Sequence, residues 1–361
     1  MSRPYILAIN PGSTSTKVAI YEKEKLLKEN KIFHSGEIIG QFSKVSDQYE
    51  YRLDLIYKWM DEINITTSSL RAVVGRGGLL RSIPGGTYLV TDKMLEDLGK
   101  GIQGEHASNL GGILAKGIAD REKIKAYIVD PVSVDEFEDI ARISGLKEIE
   151  RRSLVHALNI KAVSYRRAGE LGKKLEDLNL IVAHLGGGIS IAPIKEGKII
   201  DVNNAGEMGP FSPERAGGLP VGDLVKLCYS GEYTHEKVKK MLKGKGGLVS
   251  YLGTMDGREV ENKIAKGDKK AELVYNAMCY QIGKEIGAMA AVLNGQVENI
   301  VLTGGLTYSK HLTSYIKDMI EFIAKVIVYP GEDEMEALNL GALRVLENVE
   351  KEKIYEDEVL F

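Results

Sequence analysis

The chain has very few cysteines: two in 361 residues, Cys228 and Cys279, far apart and in no CxxC pair. That excludes a disulfide framework and argues against a cysteine-based zinc site. An excess of one charge is also missing. The 48 Lys and Arg against 51 Asp and Glu leave a formal net charge of −3, without the basic surplus by which nucleic-acid binders hold phosphates. No apolar run approaches the ~18 residues of a membrane span. The apolar stretch after Met1-Ser2-Arg3-Pro4 is broken almost at once by Asn10-Pro11-Gly12, so no signal peptide is expected. A GxxxxGK(S/T) phosphate loop is absent, and the histidines are too scattered for HExxH metal spacing. What is present is a 43% hydrophobic chain, too apolar for disorder. At ~100–200 residues per domain it is long enough for two domains. These features predict a cytoplasmic globular protein with no nucleic-acid or membrane partner.

Three short apolar segments each run into glycine. Tyr5-Ile6-Leu7-Ala8-Ile9 precedes Asn10-Pro11-Gly12, Leu180-Ile181-Val182-Ala183 precedes His184-Leu185-Gly186-Gly187-Gly188, and Asn299-Ile300-Val301-Leu302 precedes Thr303-Gly304-Gly305. Short, β-branched, glycine-bounded runs read as buried strands. Ala72-Val73-Val74 before Gly75-Arg76-Gly77-Gly78, and Ala126-Tyr127-Ile128-Val129 before Asp130, are two more. Helical patterns cover Lys270–Leu293 and Leu338–Leu346, and the alternation predicts an α/β architecture. When Asn10 is set against His184, Ile6–Ile9 falls on Leu180–Ala183 and Gly12 on Gly186. After each glycine turn comes a second apolar strand and then a charged turn. Two such hairpins half a chain apart predict a duplicated domain, and facing copies would create a ligand cleft.

The first turn, Asn10-Pro11-Gly12-Ser13-Thr14-Ser15-Thr16-Lys17, gathers one amide, four hydroxyls and a lysine around glycine. Backbone N–H groups, hydroxyls and a cation suit phosphate oxygens. The other two turns are bare glycine, where backbone must approach something closely. Arg76 stands between glycines, Arg215 lies two residues before Gly217-Gly218, and Asp130 closes a predicted strand, where α/β sheets place ligand groups. Phosphate-cradling turns, cations for equatorial oxygens and a carboxylate for Mg²⁺ together meet the needs of phosphoryl transfer.

Ile9-Asn10-Pro11-Gly12-Ser13-Thr14-Ser15-Thr16-Lys17 resembles the N-terminal signature of the acetate kinase family, within the acetate and sugar kinase/Hsp70/actin superfamily. Ala183-His184-Leu185-Gly186-Gly187-Gly188 and Leu302-Thr303-Gly304-Gly305 resemble that family's nucleotide loops. Gly206–Arg215 and Tyr329–Leu338 resemble its members that act on four-carbon acids. The resemblance implies a duplicated two-domain actin-like ATPase (ribonuclease H-like) fold with an interdomain cleft. The N-terminal lobe would take residues 1–150 with 338–361 returning, and the nucleotide-binding lobe 151–337. It implies the reaction carboxylate + ATP ⇌ acyl phosphate + ADP with Mg²⁺, favouring butyrate or isobutyrate, in a homodimer or larger homo-oligomer. Asn10, Ser13, Ser15 and Lys17 would meet phosphate, and Arg76 the carboxylate and the transferring phosphoryl group. His106 and His156 fall on active-site histidines, and Arg215 on a second catalytic arginine displaced along the chain. Asp130, Glu334 and Asn10 would hold the metal. His184, Gly186, Gly187, Gly188, Gly304 and Gly305 would line ATP. An acetate or propionate kinase, a sugar kinase and a non-catalytic Hsp70- or actin-like ATPase are the alternatives.

Overall fold

The computed structural model describes residues 3–359. Contacts divide the chain into two compact units, 1–135 with 333–361, and 136–332. The first unit opens with β1 (Tyr5–Pro11), β2 (Ser15–Glu22), β3 (Lys25–Phe33), β4 (Leu70–Arg76), β5 (Thr87–Leu89) and β6 (Lys125–Val129). The second holds β7 (Leu180–Leu185), β8 (Ile189–Lys195), β9 (Lys198–Ile199), β10 (Asn299–Gly304) and β11 (Lys325–Pro330). The chain then returns to the first through the helix Glu334–Leu346 and β12 (Lys353–Ile354).

The two sheets run β12-β5-β6-β4-β1-β2-β3 and β11-β10-β7-β8-β9. Each contains the same motif. A first strand pairs antiparallel with its hairpin partner, which pairs antiparallel with a third strand; on its other side the first strand pairs parallel with two more in turn. The duplicated hairpins predicted from sequence are β1–β2 and β7–β8: β1 and β7 end, and β2 and β8 begin, at the expected offset, with the glycine turns between them. Ile6 through Ile9 and Leu180 through Ala183 are buried, since parallel strands covered on both faces present apolar residues continuously.

The cores explain the helices. In the first unit Leu7, Ile9, Val18 and Ile20 pack with Leu53 and Ile56 of the helix Tyr49–Glu62 and with Leu110, Leu114 and Ile118 of Asn109–Glu122. In the second, Ile181, Ala183 and Ile191 pack with Met278, Ile282 and Ile286 of Lys269–Val292. That helix starts where Asp268 accepts from the N–H groups of Lys270 and Ala271, a side-chain cap for otherwise orphaned donors, and its buried residues recur every four positions.

Two expected boundaries move. The units part at Asp135/Glu136 and Glu332/Asp333, not near residues 150 and 337. Glu136 ion-pairs with Lys161 at 2.7 Å and accepts from Ile199 N–H, while Arg151 pairs with Asp201 at 2.7 Å. These bonds tie the 136–151 segment to the second unit. The helix expected from Leu338 begins four residues earlier, at Glu334, whose carboxylate bonds to Asn10 and Arg76 of the first unit.

Candidate active site

In the first unit the candidates stand at the carboxyl ends of neighbouring parallel strands. Asn10 lies near the end of β1, Arg76 ends β4, and Asp130 follows β6 directly. Ile9 is in register with Gly75, and Arg76 with Val129. Glu334, the first residue of its helix, joins them. Arg76 Nη1 lies 2.9 Å from Glu334 Oε1 and donates to Asn10 Oδ1 at 3.4 Å, and Asn10 Nδ2 donates to Glu334 Oε2 at 2.6 Å. Asn10 is 5% exposed and the Arg76 side chain 33% exposed. Nε and Nη2 of Arg76 have no protein partner among the described residues, so part of a planar fork that suits carboxylate and phosphate remains available.

Asp130 is 3% exposed and sits at φ 38°, a conformation a non-glycine residue holds only when its surroundings impose it. Its N–H donates to Gly86 O at 3.0 Å and its Oδ1 accepts from Gly86 N–H at 2.7 Å, a reciprocal pair that holds it in place. Asn10, Glu334 and Asp130 offer hard oxygen donors of the kind Mg²⁺ takes. Among the described residues no group of three or more His, Cys, Asp or Glu side chains converges to hold a metal, and Mg²⁺ commonly uses one or two carboxylates plus substrate phosphates and water.

The first turn is closed by Gly12 N–H donating to Ser15 O at 2.7 Å. Ser13 is exposed, Ser15 half-buried, and Lys17 faces Asn10 in register across the hairpin. His106 is exposed, its Nδ1 2.8 Å from Ser108 Oγ and accepting from Ser108 N–H. Its segment is anchored through Asn109, whose Oδ1 accepts from Leu79 N–H just beyond Arg76.

In the second unit His184, in β7, is 3% exposed and stacks on His156, with ring centroids 4.0 Å apart and planes within 10°. Asn159 orients it. Asn159 Nδ2 donates to Glu332 O at 2.9 Å, so its Oδ1 is the acceptor 2.8 Å from His184 Nδ1. Nδ1 therefore carries a proton, and Nε2 faces Glu332 Oε1 at 3.6 Å. His156 precedes the helix Ala157–Leu171 and has Nδ1 2.8 Å from Ser190 Oγ on β8.

The second and third glycine loops lie side by side, because Thr303 pairs in register with His184 across parallel strands. Gly304 has φ 94°, and a Cβ there would crowd the Leu185 carbonyl carbon at 2.7 Å, so only glycine allows this approach. Gly305 follows at the head of a short helical turn.

The Arg215 side chain reaches the second loop. Its guanidinium lies against Gly188, where a Cβ would fall 2.6 Å from Cζ. Nη1 donates to Ala205 O at 2.9 Å, while the buried Nε has no partner among the described residues. Burial lowers its pKa, against the raising effect of Glu214. Ser212 Oγ, three residues earlier, donates to Gly187 O at 2.6 Å.

Sequence reasoning missed Asn159, Ser190 and Glu332 around the histidines. It also missed Arg52, a fully buried arginine beneath the first turn. The available signal for Arg52 was its place on the face of Tyr49–Glu62 that carries Ile56 and Trp59, where a charge is unusual.

Residues 146–324 match the acetokinase family. The chain is 58% identical over 350 residues to a probable butyrate kinase 2 of Caldanaerobacter subterraneus subsp. tengcongensis, covering 97% of this chain and 99% of that one. It is 54% identical over 352 residues to butyrate kinase 1 of Clostridium acetobutylicum, with the same coverage. Its fold resembles the crystal structure of Porphyromonas gingivalis acetate kinase, with a TM-score of 0.76, 20% identity, and coverage of 96% of this chain and 100% of that one. Identity above one half along nearly the full length of two curated relatives, joined to the match over residues 146–324, leaves one assignment: the chain belongs to the acetokinase family.

Proposed function

We propose that this ATP-dependent carboxylate kinase acts on four-carbon acids, butyrate or isobutyrate, forming the acyl phosphate and ADP. The two curated relatives named as butyrate kinases support that choice of acid. The observation that carries the site assignment is Arg76, set between Asn10 and Glu334 at the sheet's carboxyl edge with Nε and Nη2 unengaged among the described residues.

A carboxylate is already ionised at neutral pH, so it needs no general base. One of its oxygens attacks the γ-phosphorus in line, the bond to the bridging oxygen breaks, and ADP leaves with that electron pair. The protein's task is positioning and charge neutralisation. Arg76 would orient the acid and neutralise equatorial oxygens, and Ser13, Ser15 and Lys17 would meet phosphate. In the second unit Gly186, Gly187, Gly188, Gly304 and Gly305 would line the nucleotide, with His184 oriented by Asn159 beside them. His156 carries a proton on Nε2 when Ser190 Oγ–H donates to its Nδ1, and would then donate to a phosphoryl oxygen. His106 and Arg215 would add donors.

Mg²⁺ fits Glu334, Asp130 and Asn10 by their oxygen chemistry, and when bound it would shield the charge of the polyphosphate. Glu334 now holds Arg76, so engaging that carboxylate elsewhere would free the guanidinium for substrate. We also place the enzyme in the cytoplasm; no helix of the described residues is long and apolar enough to cross a membrane. A homodimer or larger assembly is supported by the helix Val221–Cys228, which has no buried residue and leaves Val221 72% exposed.

The test is ATP-dependent hydroxamate formation across C2 to C6 acids, with a sugar panel as control. Highest kcat/KM at C4 is expected. A steady fall from C2 to C4 would overturn the substrate choice, and activity on sugars alone would overturn the reaction class.

A further inference from the structure

A buried cation lies behind the β1–β2 turn. Arg52 is 1% exposed. Its Nη1 donates to Gly12 O at 3.0 Å, Thr16 Oγ1 at 2.9 Å and Ser15 O at 3.4 Å, and its Nε and Nη2 both donate to Gln48 Oε1, at 3.0 and 2.7 Å. Every acceptor is neutral, and among the described residues no carboxylate pairs with Arg52. The neighbouring imidazole brings no anion either, for His34 Nε2 lies 2.8 Å from Thr16 Oγ1 and its Nδ1 is unpartnered. A buried charge matched only by dipoles is costly, and ordinarily such a group is paired. Burial lowers its pKa to about 10, which leaves it charged at neutral pH.

The geometry also orients the turn. In a trans peptide the carbonyl and the following N–H point in opposite directions. With Gly12 O drawn down onto the guanidinium, the Ser13 N–H is turned away from it, and Ser13 itself is exposed.

We propose that Arg52 is a positioning residue for phosphate, holding the Gly12–Thr16 turn in its anion-receiving shape and supplying from behind the positive charge that a docked polyphosphate completes. The inference rests on the reading that this turn meets phosphate. It assigns Arg52 no contact with the reacting atoms.

The experiment compares Arg52→Met and Arg52→Lys with the unaltered full-length protein, titrating ATP, inorganic pyrophosphate and adenosine by calorimetry and measuring kcat and KM separately. For Arg52→Met, ATP and pyrophosphate affinity should fall about ten- to a hundredfold, the effect of losing one incompletely screened charge. Adenosine affinity should hold, and the deficit should shrink as salt rises. Arg52→Lys keeps the charge without the fork and should recover part of the loss, mostly in the KM for ATP. Should the methionine variant fail to fold, the lysine variant carries the comparison through that KM. Unchanged ATP and pyrophosphate binding in a folded variant overturns the proposal, as do equal losses for adenosine and ATP or no pyrophosphate binding to the parent protein. Pyrophosphate binding that needs Arg52 in a protein that phosphorylates no C2–C6 acid would sustain the inference and remove the carboxylate-kinase reading. Acyl phosphate formation with pyrophosphate binding indifferent to Arg52 would do the reverse.

Discussion

Replacing Arg76 with alanine separates chemistry from folding. Among the described residues Arg76 makes one ion pair, 2.9 Å from Glu334, and one long contact of 3.4 Å to Asn10. Its side chain is one-third exposed, so the pair is worth no more than about 1 kcal/mol of stability. Glu334 keeps its 2.6 Å bond from Asn10 afterwards and is not stranded. In a unit of this size 1 kcal/mol moves Tm by about 2–4 °C. The kinetic loss should be far larger. An arginine that neutralises a transferring phosphoryl group contributes about 10³–10⁵ in rate, and the lower figure corresponds to about 4 kcal/mol of transition-state stabilisation. Trapping acyl phosphate with hydroxylamine gives kcat and KM for butyrate, thermal melting monitors the fold, and added guanidinium ion should restore part of the rate. Turnover within tenfold of the parent, in a variant melting within a few degrees of it, would refute the role given to Arg76. A Tm loss above 10 °C would refute the energetic argument instead.

Two further perturbations test other parts of the structure. Gly188→Ala puts a methyl group where the Arg215 guanidinium rests, so kcat/KM should fall about tenfold or more. Combined with Arg215→Ala it should cost little beyond the single change; fully additive losses in a double-mutant cycle would show that the two do not act together. His34 has its pKa lowered from 6.5 to about 4, by burial first and by Arg52 second. The unfolded chain therefore takes up this proton before the folded one does, so His34 contributes its full stability above pH 6.5 and loses it as pH falls toward 4. The loss is at most about 3 kcal/mol. Unfolding of His34→Gln should show a shallower decline over that range, and superimposable pH profiles would discount the buried imidazole.

Much of the architecture was legible because it is local. A buried strand running into glycine is written in consecutive residues, and β1, β7 and β10 each carry that pattern, as do the two hairpin turns at matching offset. Asp130 and Arg76 were readable as strand-end residues for the same reason. The short strands β5 and β12, of three and two residues, are too brief to show a period. The early start of the helix Glu334–Leu346 was hidden because Tyr329-Pro330-Gly331-Glu332-Asp333 precedes it with no apolar repeat. The boundary near Asp135 was hidden because it depends on which side claims Glu136, and Lys161 settles that.

The sequence by itself therefore determined an α/β chain with two copies of one hairpin, glycine-lined turns, and arginines and an aspartate at strand ends. Each of those features follows from side-chain size, backbone freedom and period along a few consecutive residues. Only the tertiary structure decided the partners: Glu334 rather than another of 51 acidic residues beside Arg76, Asn159 fixing the His184 proton, Gly188 under Arg215, and Arg52 beneath the first turn, 40 positions from Gly12. The physical reason is that burial is encoded by local pattern, whereas a hydrogen bond or ion pair between distant residues exists only once packed elements have brought donor and acceptor within about 3 Å.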